Sequence, residues 1–155
     1  MQLARNLRID SVSRLRTTAL WRVAPDQTVG DCVLLMRQQH VGCVLVCQGD
    51  ELLGIFTERD LLRSILALGR PLSTPVAQVM TVDPVVVRPS EAISAALRRM
   101  EEGGYRHLPI VDETGRPVGV LSVKRIVHYL VEHFPATIYN QPPDPNSYPL
   151  KPEGA

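Results

Sequence analysis

Gly54-Ile55-Phe56-Thr57-Glu58-Arg59-Asp60 concentrates more potential chemistry than any other stretch of this chain. A threonine three residues before an aspartate, at the start of an apolar-periodic run, can form a capping box that satisfies the N–H groups opening a helix. The same pair suits a ligand. A carboxylate accepts both hydroxyls of a ribose diol, and a helix N-terminus offers free N–H groups and positive potential to phosphate. The two roles are compatible. A second stretch, Gly119-Val120-Leu121-Ser122-Val123-Lys124-Arg125, keeps the glycine and a hydroxyl but puts Arg125 where the carboxylate stood. Arginine has no acceptor for a ribose hydroxyl. Arg59, Lys124 and Arg125 also place positive charge in first helical turns, against the macrodipole. They are either solvated or face an anion lodged between the two helix starts. Other candidates carry less: His128 and His133 lie five apart, not the four of a helical metal pair, and Asp112 and Glu113 are hairpin-turn acids. Without a nucleophile–base set, a Gly-rich phosphate loop or a metal cluster, the pattern points to binding and not to an enzyme.

The elements that position these residues come in two copies. Val23-Ala24-Pro25-Asp26 matches Val87-Arg88-Pro89-Ser90 and Met36 matches Met100 at an offset of 64. After a one-residue insertion at Gly103-Gly104 the offset becomes 65, so that Val46 falls on Val111 and Gly54–Thr57 on Gly119–Ser122. Val29, Cys32, Val33 and Met36 form an i, i+3, i+4, i+7 stripe that Asp26 is positioned to cap, and Ile93, Ala96, Leu97 and Met100 repeat it behind Ser90. Each copy continues with two short apolar runs around a hairpin turn and ends in a helix, 57–68 and 122–133. The unit is strand–helix–strand–strand–helix, taken twice. The expected organisation is an N-terminal segment 1–11, repeat one over 12–69, a linker 70–75, repeat two over 76–134 and a tail 135–155. Six prolines in those last 21 residues preclude a packed element, leaving an extended arm with Tyr139 and Tyr148 as possible anchors.

Composition narrows the partners. A net charge of +1 and an aromatic content of 5% argue against nucleic acid, which wants a basic face with stacking side chains. No apolar run reaches the roughly 18 residues of a spanning helix, so no membrane is expected. Three cysteines without C-x-x-C spacing suit a reducing cytoplasm. Cys43 and Cys47 share a strand face, but with no His or third Cys near they are better read as small buried hydrophobes than as a metal pair.

The tandem βαββα pattern, with Met80–Ser90, Leu108-Pro109-Ile110-Val111-Asp112 and Gly54–Asp60, resembles a pair of cystathionine-β-synthase-type (CBS) domains over about residues 12–133. The resemblance implies an α/β fold of two βαββα repeats packed as a pseudo-symmetric pair through their sheets, with two clefts for adenosine-containing ligands. The family's glycine–hydrophobic–x–Thr/Ser–x–x–Asp fingerprint is complete at Gly54–Asp60 and lacks its aspartate at Arg125. Tyr105-Arg106-His107 and Ser122–Leu130 are similar to segments of the γ subunits of AMP-activated kinases, in which basic side chains of the second repeat grip phosphates bound through the first. By that resemblance Thr57 and Asp60 hold ribose, Arg106, His107 and Lys124 hold phosphate, and Ile55 and Tyr105 border adenine. The second cleft, with Ser122, Arg125, Arg59 and His40, is expected to be weak or empty, and Val41 stands where a further phosphate-binding base is expected.

The expectation is a cytoplasmic, non-catalytic sensor of AMP, ADP or ATP that needs no cofactor, forms a homodimer and signals to a separate regulated protein. Leu61, Leu62, Ile65, Leu66, Val127 and Leu130 are the expected dimer face. The alternatives are a protein-interaction module with vestigial clefts, and a sensor of S-adenosylmethionine or NAD, which shares the ribose clamp. The cations at Arg106, His107 and Lys124 favour a phosphate-bearing ligand.

Overall fold

A computed structural model describes residues 2–15 and 19–133; the Pro-rich tail and its tyrosines lie outside them. Helix α1 (Gln2–Ile9) opens the chain and packs on α4 (Ile93–Gly103), a helix of the second repeat. The first repeat runs β1 (Arg22–Val23), α2 (Val29–Gln39), β2 (Cys43–Gln48), β3 (Glu51–Thr57) and α3 (Glu58–Asp60), which continues as a π-helix over Leu61–Leu66. The second runs β4 (Thr81–Val82), α4, β5 (His107–Val111), β6 (Pro117–Ser122) and α5 (Val123–His133).

The sheet order shows how the copies interlock. β1 lies parallel to β2, which pairs antiparallel with β3, and β3 takes β4 of the other repeat as its outer neighbour. The crossing is possible because residue 54 has no side chain. A Cβ there would stand 2.6 Å from Met80 Sδ and 2.7 Å from the Thr81 carbonyl oxygen, closer than packed atoms can come. In the second repeat β5 and β6 form a hairpin, and Val87, at the position of Val23, makes only an isolated parallel bridge to Ile110. The expected five-element unit is therefore complete in the first copy and thinned at its first strand in the second.

Three buried clusters follow this plan. Val29, Cys32, Met36, Val44, Val46, Phe56 and Ile65 form the core of repeat one. Ile93, Ala96, Met100, Leu108, Ile110, Leu121 and Ile126 form that of repeat two, joined by Val12 and Leu15 of the N-terminal segment. The Tyr129 hydroxyl donates to Asp10, tying that segment to α5. Between the sheets Cys43, Leu45, Cys47 and Ile55 meet Val120. Burial pushes the Cys43 thiol up to about 12 and that of Cys32 to about 11, so both stay protonated and pack as small hydrophobes.

Two expected caps differ. Thr28, not Asp26, caps α2, in a box where the Thr28 hydroxyl accepts from Asp31 N–H and the Asp31 carboxylate accepts from Thr28 N–H. Ala92, not Ser90, occupies the cap position of α4, with no side-chain cap. There Glu91 accepts from Arg88 N–H and pairs with Arg99, fastening the helix to the preceding loop. In both places the helix starts two residues later than the apolar stripe suggests; Thr28 takes the capping role at α2, and no side chain takes it at α4.

Candidate functional site

Two clefts flank the contact between the repeats. The smaller, about 420 Å³, is lined by Ile55, Thr57, Arg59, Asp60, Arg63, Thr81, Pro84, Val85, Tyr105, Arg106 and His107 among others. That volume lies within the usual range for small-molecule sites, roughly 300–1,000 Å³. The larger, about 1190 Å³, is lined by Trp21, Val33, Met36, Arg37, His40, Arg106, His107, Ser122, Lys124, Arg125 and His128 among others. Gly42, Glu58, Arg106 and His107 line both and form their common wall.

At the smaller cleft the fingerprint folds as a capping box. Asp60 Oδ2 accepts from Thr57 N–H at 2.9 Å and from the Thr57 hydroxyl at 3.0 Å, while Thr57 Oγ1 accepts from Asp60 N–H at 3.3 Å. The Thr81 hydroxyl, carried in on β4, donates to Asp60 Oδ1 at 3.2 Å. A carboxylate offers about four acceptor sites, so one remains open on Oδ1. Asp60 is thus equipped to take one further donor, not the two of an intact diol, unless Thr81 turns away. Thr81 is a contributor missed in the sequence: it belongs to the other repeat in sequence and reaches Asp60 only through the β3–β4 pairing.

The aromatic border is set by glycine. A Cβ on Gly103 would fall 2.0 Å from Tyr105 Cε2, so the ring lies where a side chain at 103 would be. Gly104 closes α4 in the left-handed region at φ 68°, and its carbonyl accepts from Arg59 Nη1 at 2.7 Å. The Gly103-Gly104 insertion therefore delivers both Tyr105 and an anchor for Arg59 to the same cleft. Arg63, one turn beyond Arg59 on the π-helix, joins them; its i+4 spacing from Arg59 is the signal that marks it in the sequence.

The expected residues divide as follows. Ile55, Thr57, Asp60, Tyr105, Arg106 and His107 come together at the smaller cleft. Lys124 does not: it lines the larger one, beside Arg125. Arg59 moves the other way, lining the smaller cleft and not the larger, held there by Gly104. His40, Ser122 and Arg125 line the larger cleft. Ser122 Oγ accepts from Arg125 N–H at 3.2 Å, the counterpart of the Thr57–Asp60 bond with no carboxylate to return it. His107 is neutral at neutral pH: burial, with a smaller effect from Arg106, holds it below the ordinary histidine value against the opposing pull of Glu58. It offers a hydrogen bond to phosphate, not a charge. Among the described residues no cluster of three or more His, Cys, Asp or Glu could hold a metal, and no helix is long and apolar enough to cross a membrane.

Residues 12–67 and 76–132 each match the model of the CBS domain. The chain is 34% identical over 115 residues to the CBS domain-containing protein YhcV of Bacillus subtilis, a match spanning 74% of this chain and 81% of that one. Among solved structures it resembles an uncharacterized conserved protein from Pyrococcus horikoshii, at a TM-score of 0.74 and 25% identity over 79% of this chain and 92% of that one. It also resembles CBSX2 in complex with AMP, at a TM-score of 0.68 and 28% identity over 79% of this chain and 96% of that one. With both repeats matched and the pseudo-symmetric pair formed, the chain belongs to the CBS-domain family as a tandem CBS pair.

Proposed function

We propose that this chain is a cytoplasmic, non-catalytic regulatory module that binds an adenine nucleotide (AMP, ADP or ATP) in the smaller cleft and signals its presence to a separate protein. The carrying observation is the Asp60 carboxylate, held by Thr57 and Thr81 with one acceptor site open, in a cleft that also presents Tyr105 and the cations Arg59, Arg63 and Arg106. In this reading a ribose hydroxyl donates to Asp60 Oδ1. Ile55, Val85 and the Tyr105 ring supply the apolar border an adenine needs, and the arginines take the phosphate. The AMP carried by the related CBSX2 structure supports an adenosine ligand for this chain as well.

Calorimetric titration of the full chain with AMP and with ATP tests the reading. Binding that saturates near one equivalent per chain supports it. No heat from any adenosine compound at about millimolar concentration, the weak end of specific binding, refutes it.

A further inference from the structure

Asp60 and Thr81, which share a hydrogen bond, come from different repeats, and the fold fixes the second beside the first. The stretch leading into β4 is counted with repeat two in sequence but packs in repeat one: Val76 and Val79 are buried in that core and Met80 lies against it. Val76 N–H donates to the Gln27 carbonyl and Ala77 N–H to the Pro25 carbonyl, both of repeat one. β4 then pairs with β3 through Gly54–Val82 and Ile55–Thr81, at the close approach that the bare Gly54 permits. With its backbone held in this way, the Thr81 hydroxyl can leave Asp60 Oδ1 only by rotation about χ1. A β-branched side chain in a strand is stiff about that bond, and one of the two other staggered positions puts its methyl group where the hydroxyl was. The second carboxylate oxygen is committed as well. Oδ2 accepts from both the N–H and the hydroxyl of Thr57, and turning it toward a ligand opens the capping box. Of the carboxylate's acceptor sites, about four in number, the protein's own donors fill those facing Thr57 and Thr81 and leave one on Oδ1.

We propose that Thr81 sets the sugar specificity of the smaller cleft: Asp60 reads one ribose hydroxyl and is indifferent to the other, so a deoxyadenosine nucleotide lacking that other hydroxyl is as good a ligand as AMP. The inference rests on the nucleotide reading above and concerns what that site demands of the sugar. The hydroxyl that meets Oδ1 gains a charge-assisted hydrogen bond, which raises affinity about tenfold or more. The other hydroxyl finds the acceptor it needs already taken by Thr81. Thr81 acts on AMP itself in two opposed ways, since it fills an acceptor but also steadies the carboxylate. On the discrimination between sugars it acts in one way only.

Calorimetric titration of the full chain with AMP, 2′-deoxy-AMP and 3′-deoxy-AMP tests this. In the wild type one deoxy nucleotide should bind within about twofold of AMP, and the other about tenfold or more weaker. Thr81→Ala, at an exposed position, vacates both the acceptor and the space beside it. In that variant both deoxy nucleotides should fall about tenfold or more below AMP. The ratio to AMP is the readout, because it is free of the steadying effect of Thr81 on the carboxylate. A thermal melt confirms that the variant is folded, and the wild-type comparison stands without it. If both deoxy nucleotides are about tenfold weaker in the wild type, Asp60 takes the whole diol, and the inference is overturned while the nucleotide reading stands. Two deoxy nucleotides that both bind as AMP does, or a Thr81→Ala protein that keeps the wild-type ratios, overturn it in the same way. AMP that does not bind at all overturns the nucleotide reading and this inference with it.

Discussion

Gly42 and His107 are equivalent positions of the two repeats, and they touch: a Cβ on Gly42 would stand 3.2 Å from His107 Cε1 and 3.3 Å from Nε2. The imidazole lies over the bare backbone of its counterpart, with the Glu58 carboxyl carbon 3.7 Å from the same point. One copy must be small for the other to be large, which is how two copies of one unit build an asymmetric wall. That wall separates the clefts, so its protonation is felt on both sides.

A pH dependence follows. His107 has its pKa depressed in the folded state, first by burial. As pH falls below about 6.5, the unfolded chain takes up that proton before the folded one does. The contribution of His107 to stability is therefore complete above that pH and is lost as pH falls toward the folded value. Melting temperatures recorded from about pH 7.5 downward should drop more steeply for the wild type than for His107→Gln. Parallel curves would show that His107 is not held neutral.

Two glycines set geometry that alanine cannot keep. In Gly54→Ala the new methyl meets the Thr81 backbone, so β4 must leave β3 and take the Thr81 hydroxyl away from Asp60. Destabilisation of about 1–3 kcal/mol is expected, as for other overpacked sites, together with weaker AMP binding. In Gly103→Ala the clash is with the Tyr105 ring, a side chain that can swing out. The fold should survive while AMP affinity falls. Denaturant melts and calorimetry on both variants check this, and a Gly103→Ala protein that binds AMP normally would remove Tyr105 from the site.

The double role of Asp60 can be separated by a matched control. Thr28–Asp31 and Thr57–Asp60 are both capping boxes, but only the second lines a cleft. Thr28→Ala should cost about 0.5–2 kcal/mol of stability and leave AMP affinity unchanged. Asp60→Ala should lose comparable stability and weaken AMP by about 1–3 kcal/mol, roughly tenfold to a hundredfold. If Asp60→Ala melts lower yet binds AMP as the wild type does, capping is its whole role and the cleft reading fails.

The repeat and the order of its elements were legible because they depend on local spacing: the apolar stripe of α2 and α4, the hairpins, the Thr57-x-x-Asp60 pair; Ile55, Tyr105, Arg106 and His107 came from the family resemblance. What was not legible depends on contacts across the pair. Thr81 reaches Asp60 only because Gly54 admits β4, and Arg59 turns to the smaller cleft only because the Gly104 carbonyl waits there. Lys124, grouped with Arg106 and His107 by the family resemblance, lines only the larger of the two clefts, which local spacing does not reveal.

The closing helices leave apolar surface uncovered, though less than their sequence suggests. Ile65 is buried and Leu61 and Leu130 pack on the monomer's own cores, while Leu62, Leu66 and Val127 remain 59%, 62% and 50% exposed. Leu68 and Val131 extend the same exposed set. Exposed apolar residues grouped on two helices favour self-association, and a two-fold homodimer is the expected arrangement. Light scattering at micromolar concentration should give twice the 17.2 kDa chain mass. Leu62→Glu with Val127→Glu should return it to monomer, and a monomeric wild type would refute the dimer.

The last prediction concerns stoichiometry. For a nucleotide with one phosphate the clefts are unequal. Asp60 offers a ribose acceptor in the smaller, while the matching position in the larger is Arg125, whose N–H bonds Ser122 Oγ as Asp60 N–H bonds Thr57. Losing that acceptor costs on the order of 1–3 kcal/mol, about tenfold to a hundredfold in affinity. AMP should therefore saturate near one equivalent per chain, with ribose density beside Asp60 and none beside Arg125 in a crystal grown with excess AMP. Because the backbone at 125 already makes its half of the capping box, Arg125→Asp needs no rearrangement to present a carboxylate to the larger cleft. That variant should move the AMP stoichiometry toward two. Equal AMP occupancy of two sites in the wild type would show that Asp60 is not what distinguishes them.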